Sequence, residues 1–152
     1  MSVAKGIMIS PATPDDVPAI AALLREAKLP HKDFAPHLAN FLVARSGGAV
    51  IGAVGAERDG ADGLLRSFVV APDHRGGGLG GRLVDELERA AGAWGVRRWW
   101  LLTTTAEKFF AARGFRVAAR HEAPETIRRT GQFSGGCCGS AVCLTRDGRR
   151  PA

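Results

Sequence analysis

Residues 74–83 read HRGGGLGGRL. Half of them are glycine, and each glycine weakens a helix by roughly 1 kcal/mol relative to alanine. Yet a helical pattern starts inside the run. Leu79, Leu83, Leu87, Ala90 and Trp94 are spaced by four, four, three and four, which marks one face of a helix. The segment before the run, Leu64 to Val70, reads as a strand closed by Ala71-Pro72. A glycine turn between a strand and a helix gathers backbone N–H groups around one concavity, where the helix dipole adds partial positive charge. Arg75 adds a formal charge, and Leu79 can turn inward as an anchor. The stretch therefore reads as a phosphate site; the plain alternative is a glycine-rich turn that holds nothing.

The remaining segments frame this unit. KGIMIS suits a short strand. TPDDVPAIAALLREA reads as a helix capped by Thr13, with Pro14 in its first turn and Asp15 and Asp16 at its positive end. Ile20, Leu23, Leu24 and Ala27 form its apolar face. A loop with a short helical turn follows, and then a three-strand meander punctuated by SGG and RDGADG. After the glycine helix, stopped by Gly95, come a central strand RRWWLLTTT and a short helix with a capping box of Thr104 and Glu107. FRVAARH reads as a strand, APETIRRTGQFSGGCCG as a connection with a helical turn, and SAVCLTR as the last strand. This order gives an α/β (α+β) domain with a mixed sheet and packed helices. A single domain over 1–152 is expected, with flexible ends at 1–5 and 147–152.

Composition limits the function. The first residues show no secretory pattern, and no stretch is long enough to span a bilayer, so a cytoplasmic protein without membrane association is expected. Net charge is +6, but the arginines are scattered, and no nucleic-acid-binding motif accompanies them. Nucleic acid is disfavoured, and a small polyanionic ligand stays open. Cys137, Cys138 and Cys143 argue against a disulfide framework, and no metal site is expected.

Three phosphate sites compete for the glycines. The P-loop is excluded because no lysine follows them. Gly76, Gly78 and Gly81 have dinucleotide-fingerprint spacing, but the preceding strand belongs to a meander and a dinucleotide domain would be truncated. Arg75-x-x-Gly78-x-Gly80, preceded by FVVAP and followed by an amphipathic helix, uses more of the residues. It resembles the acetyl-coenzyme-A motif R/Q-x-x-G-x-G/A of the GNAT N-acetyltransferase superfamily. TTTAEKFFAARGF resembles the superfamily's second segment, with Ala106, Gly114 and Phe115 in place.

The resemblance implies a mostly antiparallel sheet splayed around acetyl-CoA, with helices on both faces. It implies that the backbone of Arg75, Gly76, Gly77, Gly78, Leu79, Gly80 and Gly81 holds the pyrophosphate, and that Phe68, Val69 and Val70 pair with the pantetheine arm. An acceptor amine would attack the acetyl carbonyl directly, with a backbone N–H near Val69 or Val70 stabilising the oxyanion. Glu57 is the first candidate for the base that deprotonates the amine, the alternative being an ordinary strand-end carboxylate. His31, Asp33 and His37 occupy the early loop that often covers the acceptor in this superfamily. Two positions depart from the family: its asparagine falls at Thr103, which could still hydrogen-bond coenzyme A, and its tyrosine falls at Phe110. The chain has no tyrosine, so water, or release of an unprotonated thiolate, replaces a phenolic acid.

Residues from about Asn40 to Arg146 also resemble the arsenic-resistance N-acetyltransferase (ArsN-type) family. LLTTTAE and the late run Phe133, Ser134, Cys137, Ser140 and Ala141 are the distinctive parts, with Cys138 where proline is usual. The implied activity is acetylation of a small-molecule amine linked to arsenic resistance, with a possible homodimer. A protein or peptide acetyltransferase, or a non-catalytic module that binds coenzyme A or senses arsenic, is the alternative. Neighbouring thiols could bind trivalent arsenic; the plainer expectation is an incidental loop pair and a buried Cys143.

Overall fold

The computed structural model describes residues 6–134 and 141–147. The strands are β1 (Ile7–Pro11), β2 (Phe41–Ser46), β3 (Ala49–Asp59), β4 (Asp62–Val70), β5 (Arg98–Thr103), β6 (Arg116–Val117) and β7 (Val142–Asp147). The helices are α1 (Val17–Glu26), α2 (Leu79–Ala93), α3 (Glu107–Ala112), α4 (Glu125–Arg128) and α5 (Gly131–Ser134). The sheet order is β1-β2-β3-β4-β5-β7-β6. β1–β2, β2–β3, β5–β7 and β6–β7 are antiparallel, and β4–β5 is parallel. This is the mixed, mostly antiparallel α/β architecture that the sequence predicts. The chain divides into two compact units: Met1–Ala56 with Ser67–Ala90, and Glu57–Arg66 with Ala91–Ala152.

In the first unit, Ile20 and Leu24 of α1 are buried in a cluster with Phe34, Phe41, Val43, Ala53 and Val69. Thr13 is the N-cap, as expected, but of a 3₁₀ turn, Pro14–Asp16, that precedes α1. Its backbone N–H and its hydroxyl donate to Asp16 Oδ2 at 2.8 and 3.2 Å. Arg45 of β2 adds a two-pronged contact, Nη1 to Oδ1 at 2.8 Å and Nη2 to Oδ2 at 2.6 Å. Asp16 is thus a buried partner of an arginine 29 residues away, not simply a dipole-facing carboxylate.

In the second unit, adjacent tryptophans of β5 alternate across the strand. Trp100 packs with Leu64, Ala118, Ala123, Ile127 and Cys143, and its indole N–H donates to Asp62 Oδ1 at 3.0 Å. Thr145 of β7 donates to Trp99 O at 2.7 Å, which satisfies a buried hydroxyl. Two expectations need correction here. The inward face of α2 continues from Leu87 to Ala91, not Ala90, and Trp94 lies past the helix end, its ring under the Arg58 guanidinium at 4.7 Å. FRVAARH yields only a two-residue β6: the Ala118 N–H still donates to Cys143 O at 2.9 Å, and the chain then leaves the sheet in the 3₁₀ turn Arg120–Glu122, where Glu122 Oε2 accepts from the Ala119 N–H at 2.8 Å.

Hydrogen bonding from Arg45, resisted by burial, lowers the Asp16 carboxyl below its ordinary value. The pair's stabilisation is therefore fully present above the unfolded carboxyl value of about 4 and is lost as pH falls through the lower folded value. Arg45→Met should cost about 2–3 kcal/mol at pH 7, less than a fully buried pair because Arg45 is partly exposed. Urea melts should show the gap between variant and wild type closing below roughly pH 4.

Candidate functional site

The glycine turn belongs to the first unit and is held at both ends. At the strand end, the Ala71 N–H donates to Ile51 O at 2.8 Å. Pro72–His74 forms a 3₁₀ turn, after which Arg75 returns to extended backbone. Gly76 and Gly78 have φ of +85° and +88°, in the left-handed region that favours glycine. A Cβ added at Gly76, Gly77 or Gly78 would meet nothing within 4 Å, so the turn faces open space. At the helix end, Leu79 is buried. The Arg82 N–H donates to Gly78 O at 3.1 Å, the first bond of the α2 ladder, so the N–H groups of Leu79, Gly80 and Gly81 precede any intrahelical partner.

An anion fits this arrangement. Side chains do not block the turn, the backbone twists twice through glycine, and the positive end of a 15-residue helix lies beside it. Arg75 departs from the expected role in part. Its N–H is directed to Pro72 O at 3.4 Å, and its Nε donates to Val70 O at 2.9 Å. Arg75 therefore ties the turn to the end of β4.

β4 carries a feature that the sequence reading missed. Ser67, buried in the strand, has φ of +57°. Such a conformation is unusual for a residue with a Cβ and persists where its surroundings enforce it. Nothing in the pattern LLRSFVV marks it. Beyond it, Val69 packs into the first unit's core, while Phe68 and Val70 are half-buried. In the early loop, His31 Nδ1 lies 3.3 Å from Leu29 O, and His37 lies in the 3₁₀ segment Ala35–Asn40.

The second unit holds the other named residues. Glu57 Oε2 accepts from Arg66 Nη1 at 2.6 Å, and that arginine side chain is wholly buried. Thr103 Oγ1 accepts from the Ala106 N–H at 2.9 Å. This replaces the expected capping box of Thr104 and Glu107: Ala106 is the N-cap, and Thr103 supplies the oxygen. Phe110 is buried, edge-on to Phe109 at 4.9 Å and to Phe115 at 5.3 Å. Arg146 closes this aromatic group, lying over Phe115 at 4.7 Å and donating to Arg113 O at 2.8 Å. Phe110, which the resemblance sets at the family's tyrosine position, is thus an apolar ring packed among rings.

Cys143 is buried in β7, as expected. Burial pushes its thiol up, Arg120 opposes this and Glu122 adds to it. Cys137 and Cys138 lie outside the described residues. Among the described residues, no three His, Cys, Asp or Glu side chains are grouped to hold a metal ion, and no helix is long and apolar enough to cross a membrane.

Residues 37–117 match the family described as Acetyltransferase (GNAT) domain. The chain belongs to the GNAT acetyltransferase family. An amino-acid acetyltransferase of Ralstonia nicotianae is 34% identical over 78% of this GNAT chain and 28% of its own length. N-acetylglutamate synthase of Neisseria gonorrhoeae, solved with coenzyme A and N-acetylglutamate, superimposes with a TM-score of 0.84. It is 29% identical, with coverage of 95% of this chain and 35% of that one. A Mycobacterium tuberculosis protein solved with coenzyme A shares the fold at a TM-score of 0.79 and 22% identity, over 92% of this chain and 98% of its own. The GNAT chain thus spans about a third of the length of the amino-acid acetyltransferases it matches.

A buried thiol whose pKa is raised reacts slowly. In the native protein Cys143 should resist iodoacetamide at pH 8 and react once urea unfolds the chain. Peptide mass mapping of the 143 site reads this directly, and native labelling at the rate of a free thiol would contradict the burial.

Proposed function

We propose that the chain transfers an acetyl group from acetyl-CoA to the amino group of a small molecule, with an acceptor of amino-acid type. The observation that carries this is the open turn at Gly76–Gly78, with two left-handed glycines at the start of α2. The backbone N–H groups around Gly76 to Gly81 would hold the pyrophosphate, with Phe68, Val69 and Val70 along the pantetheine arm and Thr103 and Phe110 on the coenzyme side. The amino-acid acetyltransferase relatives support the acceptor class.

Transfer would be direct, within a ternary complex. The amine nitrogen bonds to the acetyl carbonyl carbon, the carbon–sulfur bond breaks, and the electron pair leaves on sulfur. The amine proton passes to Glu57, and a backbone N–H at Val69 or Val70 stabilises the oxyanion. Cys143, buried with its thiol pushed up, is a poor acyl carrier, which supports the direct route. With no tyrosine in the chain, the thiolate leaves unprotonated or takes a proton from water. In this reading the protein works in the cytoplasm, as a homodimer on the pattern of its family. The ArsN-like run that includes Phe133, Ser134 and Ala141 supports an arsenic-bearing amino acid among the acceptors and a link to arsenic resistance.

The test is acetyl-CoA consumption against a panel of amino acids, arsenic-containing amino acids, polyamines and peptides, with products identified by mass. Acetylation of a free amino acid is expected; coenzyme binding without turnover on any amine would instead identify a binding module. Gly78→Val should raise the KM for acetyl-CoA roughly tenfold or more, equivalent to about 1.4 kcal/mol of lost binding, with a smaller effect on the acceptor KM.

A further inference from the structure

Arg66 immediately precedes the left-handed Ser67 in β4. Its side chain is 0% exposed, and its Nη1 donates to Glu57 Oε2 at 2.6 Å, with Glu57 itself 13% exposed. An arginine cannot shed its charge when water is removed, so placing one here is costly. An apolar pair of the same volume often stabilises a fold as well or better, so stability alone gives no reason for this pair. Its place in the strand does. The β4–β5 register runs from Asp62↔Arg98 to Leu64↔Trp100, and Arg66 lies two residues past its end. Arg66 therefore stands between the last parallel pair and the residue where the backbone turns left-handed. It reaches across the β3–β4 hairpin to Glu57, the proposed base.

We propose that Arg66 is a positioning residue for acetyl transfer. By gripping Glu57 it holds that carboxylate in one direction. The proposal rests on the reading of the function above. It assigns Arg66 no contact with either substrate; Arg66 acts through Glu57 alone.

The test is a double-mutant cycle of Glu57→Gln and Arg66→Gln, with Arg66→Lys alongside. Arg66→Gln should lower kcat roughly 10- to 100-fold, the scale of a misplaced catalytic group, and leave coenzyme A affinity by calorimetry within about twofold. Arg66→Lys, which keeps the charge without the planar fork, should recover part of the loss. The double variant should be no slower than Glu57→Gln alone, because one residue acts through the other. Both cycle variants carry neutral amides, and thermal melts report whether each folds; Arg66→Lys carries the comparison if Arg66→Gln does not. Wild-type kcat in Arg66→Gln, or additive losses in the cycle, would overturn the proposal while leaving the acetyltransferase reading intact. A wild-type protein that binds coenzyme A and acetylates no amine would overturn both.

Discussion

The close approach of α2 to β3 at Gly52 governs the glycine turn. A Cβ at this position would lie 3.1 Å from Leu83 Cδ1, 3.2 Å from Val69 O and 3.7 Å from Leu79 Cδ2. The missing side chain lets the first turns of α2 sit on the strand through Leu79 and Leu83, both buried. That seat fixes where the helix begins. The glycines before it can then remain open to solvent without the turn wandering, since Leu79 and Ala71 anchor it on either side. A helix that starts poorly by propensity is thus held by tertiary burial, which commonly outweighs propensity.

What was legible in the sequence follows the range of the forces involved. The glycine turn, the hairpins and the length of α2 rest on residues close in sequence, where glycine placement and apolar spacing carry the information. The features that escaped rest on distant partners. Asp16 looked like a helix-dipole carboxylate because Arg45 is 29 residues away. Glu57, a candidate base or an ordinary strand-end carboxylate by sequence, gave no sign of Arg66 because that buried partner lies across a hairpin. The left-handed Ser67 had no signal, since serine in a strand resembles any other small residue. β6 was overextended for a local reason that pattern reading weighs poorly: the 3₁₀ turn Arg120–Glu122, in which Glu122 meets the Ala119 N–H, takes the chain out of the sheet.

Each unit uses an arginine at the end of a helix. Asp16 and Arg45 tie the entrance of α1 to β2, and the three contacts to the carboxylate beyond the first give it a single orientation. Arg146 caps the carbonyl end of α3 and covers an aromatic ring at the same time, the dual use expected of a planar guanidinium. In both cases the arginine comes from a strand and fixes the end of a helix.

The tryptophans have a spectroscopic consequence. Trp94, Trp99 and Trp100 all belong to the second unit, and the chain contains no tyrosine. Emission excited near 295 nm therefore reports one half of the molecule and is silent about the half that carries the glycine turn, an optical asymmetry built in by composition. A fluorescence melt follows the unit around β5, while circular dichroism includes α1 and most of α2. Coincidence of the two curves would show that the units unfold as one cooperative body, and separation would resolve two steps.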